Sequence, residues 1–68
     1  MNFSMSYIWQ HAQISGGAPM VRGSRVTLAT IHERVLAGEP IEAVCKDMEL
    51  NELHTKKAYA EWIKTKNA

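Results

Sequence analysis

One cysteine in 68 residues, Cys45, leaves no partner for an intrachain disulfide. His11, His32 and His54 do not make up for it, because no two of these histidines and Cys45 stand at a zinc-ligand spacing or pair as base and thiol nucleophile. No metal site, cofactor or enzyme activity is expected. Aromatic residues are scarce at 7%, prolines number two, and no apolar run approaches the ~18 residues that span a bilayer. An excess of either charge is also missing. Eight Lys/Arg against seven Asp/Glu give a net +1, so any nucleic-acid role must rest on where the cations sit rather than on bulk charge. Met1 to Gln10 show no basic start, apolar stretch and small-residue cleavage site, and a cytoplasmic location is the expectation.

What is present, 46% hydrophobic and 22% charged residues, is the composition of a soluble globular domain. A single domain over 1–68 is expected, and so short a chain buries only about 60% of its unfolded surface. Association with a second copy is the expected remedy. Three glycine-rich punctuation marks divide it: Ser15-Gly16-Gly17, Arg22-Gly23-Ser24-Arg25 and Gly38-Glu39-Pro40. Residues 1–27 read as an extended arm, with short β-prone pieces at Tyr7-Ile8-Trp9, Met20-Val21 and Val26-Thr27. Gly23-Ser24 suit the centre of a type II′ hairpin turn, and that hairpin needs a further strand from Tyr7-Ile8-Trp9 or from another subunit.

From Thr27 onward the period becomes helical. Leu28, Ile31, Val35 and Leu36 define a first helix, capped by Thr27 and ended by Gly38; Ile41, Val44, Cys45 and Met48 define a short second one after Pro40. Asn51 caps a third, whose apolar face is Thr55, Ala58, Tyr59, Trp62 and Ile63 and whose other face is Glu52, Lys56, Lys57, Glu61 and Lys64. The predicted fold is mainly α: a three-helix, homeodomain-like helix-turn-helix unit over 28–65 with an N-terminal extended or β-hairpin arm.

The run Ile14-Ser15-Gly16-Gly17-Ala18-Pro19-Met20-Val21-Arg22-Gly23-Ser24-Arg25-Val26-Thr27-Leu28 resembles the opening signature of the family called domain of unknown function 433. Gly38, Glu42, Val44, Asp47 and Leu50 resemble its middle segments, and Ala58, Tyr59, Ala60 and Trp62 its closing helix, so the likeness covers Tyr7 to Trp62. Ser24 stands where the family usually has threonine, Pro40 where a capping serine or threonine is common, Glu49 where proline is usual, and His54 where an acidic capping partner is frequent. The resemblance implies an armed three-helix domain that dimerises, mostly bacterial, and often an antitoxin beside a PIN-domain ribonuclease toxin.

In a helix-turn-helix the start of the third helix reads the major groove, which nominates Asn51, His54, Lys56 and Lys57, with Glu52 and Glu49 opposing and Thr55 turned inward. Arg22 and Arg25 beside a glycine turn suit a phosphate or a partner carboxylate; the competing reading has one of them, Arg25 first, bracing the arm through internal carbonyls. Tyr7, Trp9, Met20 and Val21 are the expected dimer contacts. Asp47, Glu49 and Glu52 flank a turn and lack the pocket that acid/base chemistry needs. Two functions follow as expectations: a homodimeric operator-DNA-binding regulator or antitoxin without a membrane segment, or a protein-interaction module that inhibits a toxin or adapts a partner with little DNA binding.

Overall fold

The computed structural model describes residues 7–66. The first six residues of the expected arm, Met1 and Met5 among them, and the last two of the chain lie outside the described residues. β1 (Ile8–Trp9) pairs antiparallel with β2 (Met20–Val21), Ile8 opposite Val21 and Trp9 opposite Met20. The further strand that the arm needs therefore comes from its own chain. Between the strands the chain turns through Ser15–Gly17, all three residues at positive φ.

The turn after β2 differs from the type II′ expectation. Ser24 N–H donates to the Val21 carbonyl, so Arg22 and Gly23 are the central pair and Gly23, at φ 86°, fills the third position as in a type II turn. The Ser24 hydroxyl donates to the Val21 carbonyl at 2.8 Å and accepts the Val26 N–H at 3.1 Å, which closes the loop from inside. Met20 then bridges to Thr27, a single pair rather than a strand, before the helices begin.

α1 (Leu28–Leu36) starts where Thr27 Oγ1 accepts the Thr30 N–H, the cap the sequence predicts. It ends in a Schellman motif: Gly38 N–H donates to Val35 and Glu39 N–H to Arg34, with Gly38 at φ 100°. α2 (Ile41–Met48) follows Pro40, whose carbonyl takes the Ala43 and Val44 N–H groups. It ends in the same motif, Glu49 N–H to Lys46 and Leu50 N–H to Cys45, but here the left-handed residue is Glu49 at φ 56°. α3 (Glu52–Lys66) begins after Asn51, whose Oδ1 accepts the His54 N–H at 2.9 Å.

Ile8, Val21, Leu28, Ile31, Val44 and Ala58 form the core, with Met20 and Cys45 also buried. Of the predicted inward positions of α2 and α3, Val44, Cys45, Thr55 and Ala58 are buried and Ile41, Met48, Tyr59 and Trp62 pack on the core in part, whereas Ile63 is half-buried and Leu36 of α1 faces outward at 72% exposure. Two ionic clasps tie the helices together. Arg34 grips both oxygens of Glu39 at 2.6 and 3.0 Å and reaches Asp47 of α2 at 2.7 Å; Lys56 of α3 bonds Glu42 of α2 at 2.8 Å and its own helix's Glu52 at 3.2 Å. Among the described residues no helix is long and apolar enough to cross a membrane.

Thr55 is fully buried and its Oγ1 has no hydrogen-bond partner, so Thr55→Val is expected to stabilise the fold by about 1 kcal/mol in urea unfolding, since it removes an unsatisfied polar group at constant shape. Glu49→Gly relieves a left-handed side-chain penalty and is expected to gain about 0.5–1 kcal/mol, the strain relief exceeding the added freedom of the unfolded chain; an unchanged urea midpoint contradicts it. Hydrogen bonds from Arg34 and Lys56 hold the Glu39 and Glu42 carboxyls below the usual carboxylate range. Folded carboxylates of lowered pKa bind fewer protons than unfolded ones, so their stabilisation is complete above the unfolded value of about 4.3 and is lost as pH falls through the folded values. A Glu39→Gln, Glu42→Gln double variant should therefore show a flatter acid limb in midpoint against pH than the parent.

Candidate nucleic-acid interface

The residues nominated for DNA contact share one region but have unequal freedom. Asn51 spends its Oδ1 on capping α3. His54, the next turn's first inward-leaning residue, lies against the Tyr7 ring with centroids 4.7 Å apart, so the arm folds over the start of α3. Lys57, exposed and one turn further on, carries its ammonium 5.9 Å from the centroid of the same ring. Tyr7 is thus an aromatic floor between a histidine and a lysine, and Thr55 turns inward as predicted.

Lys56 and Lys57 are adjacent in sequence and differ in surroundings. A helix turns about 100° per residue, which aims Lys57 toward the arm and Lys56 toward α2. There the Glu42 carboxylate, and after it Glu52, raises the Lys56 pKa above the ordinary lysine range. The Glu52–Lys56 pair is visible in the sequence as an i, i+4 spacing. Glu42 is not, because only the packing of α2 on α3 brings it within reach.

The arm arginines divide in the opposite sense to the expectation. Arg22, not Arg25, is the internal brace: its Nη2 donates to the Ile8 carbonyl at 3.0 Å and its backbone N–H to the Tyr7 carbonyl at 2.7 Å. The antiparallel register explains this, since Arg22 continues β2 alongside β1 while Arg25 falls on the far limb of the turn. Arg25 is exposed and makes no ion pair among the described residues.

Of the expected dimer contacts, Met20 and Val21 are covered by their own chain at 0% and 2% exposure and offer no surface to a partner. The β1 pairing and the packing of β2 on α3 consume them. Trp9 is half-buried, its indole N–H held by the Ser24 carbonyl at 2.6 Å, and Tyr7 is half-buried under His54 and Lys57. The sequence places Tyr59 and Trp62 on the apolar face of the third helix and raises His32 only as a metal candidate, without the partners it has here. That residue's Nδ1 shares a 2.8 Å hydrogen bond with the Tyr59 hydroxyl, and its ring meets the Trp62 ring edge-on at 5.2 Å. Its signal is the i+4 step from Leu28 along α1. Among the described residues no three His, Cys, Asp or Glu side chains gather as a metal site.

No curated protein and no solved structure matches the chain. A family model described as a protein of unknown function (DUF433) matches residues 8–60, from the first residue of β1 to the middle of α3. The match spans most of the chain, both the arm and the helix-turn-helix order, and this protein belongs to the DUF433 family.

Proposed function

We propose that this protein is a non-catalytic, homodimeric helix-turn-helix module that binds operator DNA through the first half of α3 and the arm turn, in the manner of a small regulator or antitoxin. The observation that carries the reading is the joint between α2 and α3: a three-residue turn, left-handed at Glu49, followed by a side-chain-capped helix on whose first half Glu52, Leu53 and Lys57 are exposed. Lys57 beside Tyr7 and the exposed Arg25 supply cations without carboxylate partners among the described residues. They suit phosphates on either side of a groove. A few contacts per copy give weak binding alone, which is why two copies belong to the proposal.

A second reading rests on Lys56. With Glu42 and Glu52 both on this lysine, and Leu53 60% exposed next to them, the same helix face is nearly neutral and partly apolar. That suits a protein surface, such as a PIN-domain toxin, better than a polyanion.

Fluorescence anisotropy with duplex DNA from upstream of the protein's own gene, at about 50 and 200 mM salt, separates the two. Regulation predicts sequence-selective binding that weakens with salt. Lys57→Ala and Arg25→Ala should each lower affinity across all sequences and reduce the salt slope by about 1. Glu42→Gln should tighten binding, because it frees part of the Lys56 charge. No binding at the lower salt overturns the DNA reading and leaves the protein-binding one.

A further inference from the structure

α3 carries its inward stripe past the core. Thr55 and Ala58 on that stripe are buried, but Tyr59, Trp62 and Lys66 continue it at helical spacing with Tyr59 and Trp62 only half-covered. Lys66 lies over the half-buried Trp62 ring, its ammonium 4.9 Å from the centroid. α1 meets this overhang with His32, and one turn further along the same side of α1 stands Leu36, the most exposed large apolar residue described. Glu33, i, i+3 to Leu36, borders it and is exposed. The surface is therefore apolar and aromatic in the middle, with an anion on its α1 side and a cation on its α3 side.

We infer that this α1/α3 face, and not the arm, is where two copies of the chain meet about a twofold axis, Leu36 of one copy against Trp62 of the other and Glu33 opposite Lys66 in both directions. The inference rests on the dimeric part of the function proposed above. A twofold contact must be self-complementary, since each copy presents the same patch. An apolar centre flanked by one charge of each sign, carried on different helices, meets that requirement. Aromatic residues with a charged rim are also what the buried centre of a protein interface favours. The arm does not compete for the role, because Met20 and Val21 are already consumed and Trp9 is tied to Ser24. The start of α3, with Lys57, lies at the other end of the helix and stays open in such a dimer.

Sedimentation equilibrium of the full chain without DNA tests the face directly. The wild type is expected at twice its 7.7 kDa mass. Leu36→Glu should raise the dissociation constant at least tenfold, with circular dichroism and thermal midpoint of the monomer intact because the site is exposed. Glu33→Lys alone should weaken the dimer, and Glu33→Lys combined with Lys66→Glu should restore it, a rescue that a purely structural effect does not produce. A wild-type mass of 7.7 kDa at every concentration overturns the inference, as does a Leu36→Glu protein that remains dimeric. A wild-type dimer that Leu36→Glu dissociates and that binds no DNA supports the face and overturns only the regulatory reading, whereas a wild-type monomer that binds the operator overturns the face and the homodimeric part of the proposed function and leaves its DNA binding standing.

Discussion

The three helices do not enclose the core of this chain by themselves, and the arm completes it. Ile8, Met20 and Val21 are buried alongside Leu28, Ile31, Val44, Cys45 and Ala58, so the arm contributes a large share of the apolar volume that water does not reach. At about 25 cal/mol per Å² of apolar surface removed from water, three such side chains matter to a domain of marginal stability. The hydrogen bonds around the arm hold them there: Leu28 N–H to Pro19, Arg22 to Tyr7 and Ile8, and the Trp9 indole to Ser24. Most of the glycine- and arginine-containing run between Gly16 and Leu28 is occupied in this closure. Arg22 is spent on holding the fold, whereas Arg25 on the far limb of the turn stays exposed and is left to whatever the surface meets.

The helices were legible because their signals are local. Thr27 and Asn51 act as caps, Gly38 as a stop, and Val44, Cys45, Thr55 and Ala58 as inward positions, and each of these depends on neighbours within one or two turns. Two failures share a cause of the opposite kind. Leu36 fits the apolar period of α1, yet among the described residues nothing covers it and it stands 72% exposed. Arg22 and Arg25 look equivalent in sequence, and only the pairing of β2 with β1 decides that Arg22 is the brace. Likewise the turn type hinged on a one-residue shift of the loop, set by the Ser24 hydroxyl, a group that threonine at this position also possesses. Of the nominated DNA residues, the positions on α3 were readable, whereas the neutralisation of Lys56 by Glu42 required knowing how α2 lies on α3.

The ion pairs of the helix surface have different consequences for structure and for recognition. Exposed pairs contribute little to stability, because water and salt already solvate both partners. They still decide what a surface offers to a polyanion. Lys56 can exchange Glu42 and Glu52 for a phosphate, but the two carboxylates stay in place and repel it. Arg34 has no such choice, since its fork is filled by Glu39 on two bonds and Asp47 on a third. It is a helix clasp and not a docking group, even though it is a part-exposed arginine at the end of a helix.

A geometric consistency links the two proposals. Trp62, at the proposed twofold, and Leu53, in the reading half, are separated by nine residues of α3, or about 13 Å at 1.5 Å per residue. If α3 runs outward from the axis in both copies, the two reading halves stand roughly 27 Å apart along the helices alone, and the width of the helices that meet at the axis adds several ångströms more. That total approaches the 34–36 Å between successive major-groove faces that dimeric helix-turn-helix proteins span. A dimer joined through the arm would instead bring Tyr7, and with it His54 and Lys57 at the start of α3, toward the axis. In the proposed dimer the overhang of α3 beyond the core would set the span, through its length rather than its charge.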